Sequence, residues 1–95
     1  MIIQIIKFES ALTEDEVLEI AQERFENFRA LPGLLQKYYI KLDKPNHYGG
    51  VYIWDSKDSM ESFRGSALAE SIPAAYRVVG APTIDTSEGL FQLRD

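Results

Sequence analysis

The 95-residue sequence contains no cysteine and only one histidine, His47. Without cysteine, the chain has no disulfide, no thiolate nucleophile and no cysteine metal ligand. A metal site built from several histidines is equally excluded within one chain. Basic residues are also scarce, because 10 Lys and Arg stand against 15 Asp and Glu, for a net charge of -5. This acidic excess opposes binding to phosphate backbones, so we expect no nucleic-acid partner.

Long apolar runs are missing as well. The N-terminal run MIIQIIKF is too short to cross a bilayer and lacks the marks of a signal peptide. We therefore expect no membrane partner and a cytoplasmic location. The remaining composition, with 45% hydrophobic and 26% charged residues, is ordinary for a folded protein. A chain of this length is expected to form one domain, residues 1–95.

The first third of the chain predicts a strand followed by a helix. The isoleucine-rich run Ile2–Phe8 is typical of a central strand that is buried on much of both faces. Thr13 lies three residues before Glu16, which is the capping-box spacing at the start of a helix. Apolar residues then recur at steps of three and four, so we expect an amphipathic helix of about four turns with a buried apolar face. That face comprises Val17, Leu18, Ile20, Ala21, Phe25 and Phe28.

A β-hairpin is predicted after this helix. Pro32-Gly33 form a turn, the arms are Leu34–Leu42 and Val51–Trp54, and residues 44–50 form the loop between them. Tyr38 and Tyr39 are adjacent in the first arm, so only one of them can face a given cavity.

The second arm has two chemically different faces. Side chains alternate along a strand, so Val51 and Ile53 share one face while Tyr52 and Trp54 share the other. The aliphatic face suits packing under helices, and the aromatic face suits a pocket or a partner surface.

The last third predicts a broken helix and a long strand. Asp55 or Ser56 can cap a helix that carries Met60, Phe63 and Ala67 on one face, and Gly65 predicts a break. Residues 69–75 could add a helical turn. Residues 76–86 alternate as a strand, in which Gly80 and Pro82 favour a bulge or an edge position, and residues 90–93 could form a short terminal strand that reaches a neighbouring subunit.

This element order predicts an α+β fold. It is the ferredoxin-like βαββαβ arrangement, with two helices on one face of an antiparallel sheet and a short extra C-terminal strand. The second face of such a sheet stays open. An open apolar face in a soluble protein usually marks an interface, so we expect a homodimer formed through it.

Two stretches, FRALPGLLQKYYI and GGVYIWDSKDSMESF, resemble the YdhR-like monooxygenases of the antibiotic-biosynthesis-monooxygenase superfamily. The likeness covers nearly the whole chain and is most specific at residues 32–34 and 49–52 and at Trp54. It implies a dimeric α+β barrel with a pocket between sheet and helices. Some relatives oxidise polycyclic aromatic or quinone-precursor substrates with molecular oxygen alone, so the resemblance implies no metal and no other cofactor. The haem-degrading branch uses a helix-borne histidine, whereas His47 lies in a predicted loop, which argues against haem chemistry.

Oxygenation without a cofactor needs a pocket that binds an electron-rich phenol or enol, removes its proton and holds the anion near oxygen. For proton transfer or anion stabilisation the candidates are His47, Arg64 and Arg77, because histidine titrates near neutrality and arginine keeps its charge. A solvated loop position for His47 and surface positions for the arginines are the commoner roles of such residues. The candidate walls of the substrate pocket are Tyr39, Tyr52, Trp54, Phe63 and Tyr76.

Three functions therefore stay open. The first is a cofactor-independent monooxygenase that acts on an aromatic or polyketide-like substrate. The second is a non-enzymatic module that binds a small hydrophobic or aromatic ligand, or another protein, since no clear acid–base pair is visible. The third is an isomerase or lyase that needs no oxygen. One scaffold hosts many chemistries, so the fold cannot choose among them.

Overall fold

The computed structural model describes residues 1–95 as a four-stranded antiparallel sheet with three helices on one face. The strand order β2-β3-β1-β4 places β1 in the centre, as predicted. The predicted second helix is two helices, so the order is βαββααβ. The elements are β1 Ile2–Ser10, α1 Glu14–Arg29, β2 Leu34–Lys41, β3 His47–Trp54, α2 Lys57–Arg64, α3 Ala67–Ala75 and β4 Val78–Glu88.

The helix boundaries follow the predicted caps. Thr13 and Glu16 form the capping box of α1, with Thr13 Oγ1 accepting from the Glu16 amide at 3.3 Å. Ser56 caps α2 in the same way. The predicted break after α2 is present at Gly65, and Ser66 caps α3. α3 is longer than the expected single turn and contains Pro73, which has no N–H to donate to the Ala69 carbonyl.

The two faces of the second hairpin arm alternate as predicted, but the prediction that the aliphatic face packs under the helices is wrong. Trp54 is fully buried and Tyr52 is 3% exposed, both beneath the helices, while Val51 and Ile53 lie half-buried on the open face. The aromatic rings complete a core cluster with large side chains from the helices, namely Phe28, Met60 and Phe63. Aromatic side chains bury more area than valine or isoleucine, and Trp54 Nε1 finds a partner in Gln4 Oε1 at 3.0 Å.

The buried residues of the first strand also differ from the prediction. Its fully buried residues are the polar Gln4 and Ser10, and its isoleucines are all partly exposed. Ile3 and Ile5 lie on the uncovered face of the sheet, whereas Ile2 and Ile6 pack against the core cluster. Phe25, expected in the core, is 40% exposed and lies under the Arg29 guanidinium, 5.2 Å from its ring centroid. It lies at an exposed edge of α1, beside a groove that it lines together with Phe28 and Leu34.

The hairpin loop is shorter than predicted. β3 begins at His47, so Gly49 and Gly50 belong to the strand and pair with Lys7 and Ile6 of β1. The reason at Gly49 is a close approach of backbones, because a Cβ atom there would clash with the carbonyl oxygen of Ile6. Glycine therefore serves the sheet and not the turn.

The last strand begins later than predicted. Tyr76 ends α3 as its C-cap, and Arg77 turns the chain with φ 47° before β4 starts at Val78. The predicted edge position and bulge are both present: β4 is an edge strand, and its register with β1 shifts between Lys7 and Glu9. The predicted terminal strand is absent, since residues 90–93 have no neighbouring strand to pair with in this chain. None of the three helices is both long enough and apolar enough to span a bilayer.

The close approach at Gly49 yields a stability prediction. Gly49→Ala forces a methyl group against the β1 backbone, which cannot rotate away, and we expect a loss of about 1–3 kcal/mol in the free energy of unfolding. The matched control is Gly65→Ala, where the nearest atom to the new Cβ is 3.9 Å away. Urea denaturation measures both variants. Equal stability of the two would contradict the packing argument.

Candidate functional site

A cavity of about 150 Å³ lies between the sheet and α1, closed at one end by the C-terminal end of α3. Its floor comes from β1, β2 and β3, and its roof comes from the first two turns of α1. Gly50 faces this space, and a Cβ there would press on the Tyr52 ring and the Lys37 side chain, so the missing side chain keeps the cavity open. The floor and end residues that matter most are Ile6, Phe8, Lys37, Tyr39, Tyr48, Tyr52, Ile72 and Tyr76, and the roof residues are Glu14, Val17, Leu18 and Ala21.

Four tyrosines line this cavity, and apart from Tyr48 of β3 they come from three different elements. Tyr39 projects from β2, Tyr52 from β3 and Tyr76 from the end of α3. Burial raises the pKa of each of these three phenols, to about 12 at Tyr76, so all three stay protonated at neutral pH. The hydroxyl of Tyr76 is buried and has no hydrogen-bond partner in the protein. Each phenol can therefore offer a hydrogen bond to a ligand.

Lys37 is the charged residue of the cavity floor. It lies opposite Tyr52 in the β2–β3 pairing, and its Nζ is 3.6 Å from the centroid of Phe28, 4.3 Å from Tyr39 and 4.6 Å from Tyr52. Burial and the nearby positive charge of Arg24 lower the pKa of Lys37 to about 7. The aromatic faces act the other way, because they favour the ammonium. The neutral amine is consequently accessible near neutral pH, which is unusual for lysine.

Arg24 supports this region from α1. Its Nη2 donates to Ser71 Oγ at 2.7 Å, tying α1 to α3, while its Nε is buried without a partner. The guanidinium lowers the pKa of Lys37 and favours the ionised form of three of the cavity tyrosines. The one acidic side chain in the lining, Glu14, is paired at the rim with Lys41 at 3.1 Å. The interior of the site therefore carries excess positive charge in an acidic protein.

The structure brings together only part of the predicted site. Tyr39, Tyr52 and Tyr76 meet at the cavity, and Tyr39 is the member of the tyrosine pair that faces it. Trp54 and Phe63 do not line it, because they pack in the core cluster. The roles of all five in binding stay predictions.

The three predicted proton-transfer residues lie elsewhere. His47 is at the start of β3, where its Nδ1 lies 2.8 Å from the Pro45 carbonyl oxygen. Arg64 ends α2 beside a second groove, near Glu70. Arg77 is an exposed turn residue. None of the three lines the cavity, and no group of three His, Cys, Asp or Glu side chains comes together as a metal site.

Sequence reasoning missed Lys37 and Arg24, although both carry a signal. Arg24 falls on the buried stripe of α1, at the spacing set by Val17, Ala21 and Phe28. A charged residue among buried apolar positions indicates a specific role for its charge. Lys37 precedes Tyr39 by two residues and so shares its face of β2, but the sequence does not say which face is inward.

Comparison with known proteins identifies the fold. No protein-family model and no curated protein matches the sequence. A candidate antibiotic biosynthesis monooxygenase from Deinococcus radiodurans superposes with a TM-score of 0.75 and 18% identity, covering 100% of this chain and 98% of that one. SnoaB, a cofactor-independent oxygenase from Streptomyces nogalater, gives 0.77 and 14% identity, covering 99% and 97%. A protein of unknown function from Nitrosomonas europaea gives 0.78 and 14%, covering 99% and 93%.

These likenesses establish the architecture. The chain has the antibiotic biosynthesis monooxygenase fold, a ferredoxin-like βαββααβ domain of the kind found in the dimeric α+β barrel family. The predicted fold class is confirmed, apart from the extra terminal strand.

The lowered pKa of Lys37 predicts a pH-dependent gain in stability on its removal. The unfolded chain binds a proton at Lys37 up to about pH 10.5 and the folded chain only up to about pH 7, so this residue destabilises the fold fully below pH 7 and progressively less above it. Lys37→Met should therefore raise the melting temperature by several degrees near about pH 6 and by less near about pH 9.

Thermal unfolding by circular dichroism at these two pH values measures the effect. Lys57→Met removes a lysine from the exposed first turn of α2 and serves as the control for a change of charge alone. A gain that is the same at both pH values would show that Lys37 titrates normally.

Proposed function

We propose that this protein is a small cofactor-independent monooxygenase that acts on an electron-rich aromatic substrate held between the sheet and α1. The observation that carries the proposal is the cavity in which the protonated phenols of Tyr39, Tyr52 and Tyr76 lie together with the amine of Lys37 on the floor. Its apolar walls suit an aromatic ring, and its polar groups suit one ionisable hydroxyl. Likeness in fold to SnoaB supports this choice. We also propose, from the YdhR-like stretches of the sequence, that the protein belongs to the YdhR-like group.

The proposed reaction needs only the substrate and molecular oxygen. A phenol with an oxidisable ring position gives a quinone and water: one oxygen atom enters the ring, and the other leaves as water with two hydrogens from the substrate. The substrate supplies all four electrons that reduce O₂. The protein's part is to bind the ring, promote loss of its hydroxyl proton and stabilise the anion that reacts with oxygen.

Oxygen consumption tests this proposal directly. The purified protein with a panel of anthrones and phenols should consume oxygen above the protein-free rate and yield, by mass spectrometry, a quinone with one oxygen more and two hydrogens fewer than the substrate. Tyr52→Phe keeps the ring and removes one cavity hydroxyl, and we expect it to lower kcat/KM by about tenfold, the cost of about 1.4 kcal/mol of transition-state binding.

The alternatives predict different results in the same assay. Quenching of Trp54 fluorescence by a hydrophobic ligand without turnover would support a non-enzymatic binding module instead, since Tyr52 stacks parallel to that indole at 6.1 Å. Turnover that persists without oxygen would support an isomerase or lyase. Either result contradicts the monooxygenase proposal.

We further propose that the protein works as a homodimer through the open face of the sheet. That face carries a half-buried apolar stripe in which Ile5, Val51 and Tyr38 are register neighbours. A second copy would cover this stripe. The exposed terminal residues Leu90 and Phe91 would also find apolar contacts in such an assembly.

The dimer proposal predicts that a charged substitution on the open face of the sheet lowers the mass of the protein in solution from that of a dimer to that of a monomer. Val51→Glu places a carboxylate at the centre of the stripe and should convert a dimer to a monomer in light scattering. Gln22→Glu adds the same charge on the exposed side of α1 and should leave the dimer intact. A monomeric wild-type protein at micromolar concentration would contradict the proposal.

A further inference from the structure

Two basic side chains lie close together beside the cavity, and neither of them forms an ion pair. Lys37 lines the floor from β2, and Arg24 lies near it on α1, outside the lining, with a buried Nε that has no partner. Buried charges are normally paired, because an uncompensated one is costly. Glu14 does not fill this role, since it is paired with Lys41 at the rim. The missing counter-charge points to an anion supplied by the ligand.

Arg24 and Lys37 differ in their acid–base behaviour. Arginine stays protonated under all ordinary conditions, so Arg24 contributes a fixed positive charge. Lysine loses its proton readily when it is desolvated, and desolvation beside Arg24 brings the pKa of Lys37 to about 7. A neutral amine next to a fixed cation can take a proton from a weak acid and then help to hold the anion that remains. Catalytic bases in proteins are tuned in this way.

We propose that Lys37 is the catalytic proton acceptor for the hydroxyl of a single-ring phenol or enol bound in the cavity, and that Arg24 acts through its charge on Lys37 and on the resulting anion. The inference rests on the proposed function for the later use of that anion. In the step itself the substrate O–H bond breaks and an N–H bond forms on Lys37 Nζ. No electrons are transferred.

Lys37 is the group in the cavity lining best suited to the task, because Glu14, the one carboxylate there, is paired with Lys41 at the rim. The phenols of Tyr39, Tyr52 and Tyr76, which share the lining with Lys37, have raised pKa values and stay protonated, so they donate hydrogen bonds and do not accept protons. Arg24 cannot accept one. The Nζ atom lies within 4.6 Å of the ring centroids of Tyr39 and Tyr52, so a ring that enters between these walls meets the amine.

Cavity size sets the substrate class. The volume is about 150 Å³, and an apolar protein cavity of about that size accommodates one benzene ring. Because Gly50 has no side chain, the space beside the Lys37 and Tyr52 side chains stays open. Further rings of a larger substrate would have to extend out of the cavity toward solvent. A monocyclic phenol therefore fits this site better than the polycyclic substrates that the resemblance implies.

The test uses 4-nitrophenol, whose anion absorbs visible light and whose neutral form does not. With wild-type protein at a pH just below the solution pKa of the probe, binding should convert added neutral phenol to the visible anion. With Lys37→Met, the absorbance change on addition of the probe should be less than about a tenth of the wild-type change, because the proton acceptor is missing. Lys57→Met should behave as wild type, and circular dichroism checks that each variant is folded.

A second measurement keeps the inference testable if Lys37→Met alters packing. Arg24→Gln removes the charge that depresses the pKa of Lys37, so NMR titration of the labelled lysine should show a higher pKa in this variant than in wild type. An unchanged pKa, or no binding of 4-nitrophenol to the wild type, would overturn the inference.

The outcomes separate this inference from the function it rests on. Formation of the bound anion without oxygen uptake on any substrate would leave Lys37 as the proton acceptor and remove the monooxygenase proposal. Oxygen uptake that survives Lys37→Met at the wild-type rate and with the wild-type pH profile would keep the monooxygenase and overturn the role of Lys37.

Discussion

The structure depends on the burial of Trp54 beneath the helices. Its indole lies at the end of β3, stacks parallel to Tyr52 and donates to Gln4 Oε1 at 3.0 Å, so one side chain joins the two central strands through both packing and a buried hydrogen bond. The ring of Phe63 packs on Trp54 at 5.4 Å and anchors α2 to the sheet. Because side chains alternate along a strand, fixing Trp54 inward also fixes Tyr52 inward, and with it the wall of the cavity.

The cavity is what remains where this aromatic packing stops. Toward Gly49 and Gly50 the strand carries no side chains, so the space under α1 is not filled as it is around Trp54. Gly49 lets β1 and β3 approach closely and Gly50 leaves the cavity open, so one pair of adjacent residues serves both the sheet and the site. Lys37 is buried near Arg24, and its altered acid–base behaviour follows from that placement. The chemistry of the site is thus a result of packing, not of a conspicuous motif.

Much of the architecture could be predicted because local signals were unambiguous. The Thr13 and Glu16 capping box, the Pro32-Gly33 turn and the break at Gly65 each depend on backbone chemistry within a few residues, and each lies where it was expected. Errors occurred where a long-range contact overrides local preference. Gly49 was assigned to a loop because glycine favours turns, but a neighbouring backbone requires it in the strand. Tyr76 was assigned to a strand by alternation, yet it caps α3 and faces the cavity.

The sequence by itself determined the element order, the helix caps and the absence of cysteine chemistry, since these follow from residue identity and near neighbours. It also limited the pocket-facing residue to one of Tyr38 and Tyr39. Only the tertiary structure decided that Tyr39 faces inward, that Lys37 shares its cavity and that Arg24 lies close enough to change its pKa. The physical reason is that inward and outward are defined by the helices that cover a sheet, and burial and charge proximity depend on contacts between residues far apart in the chain.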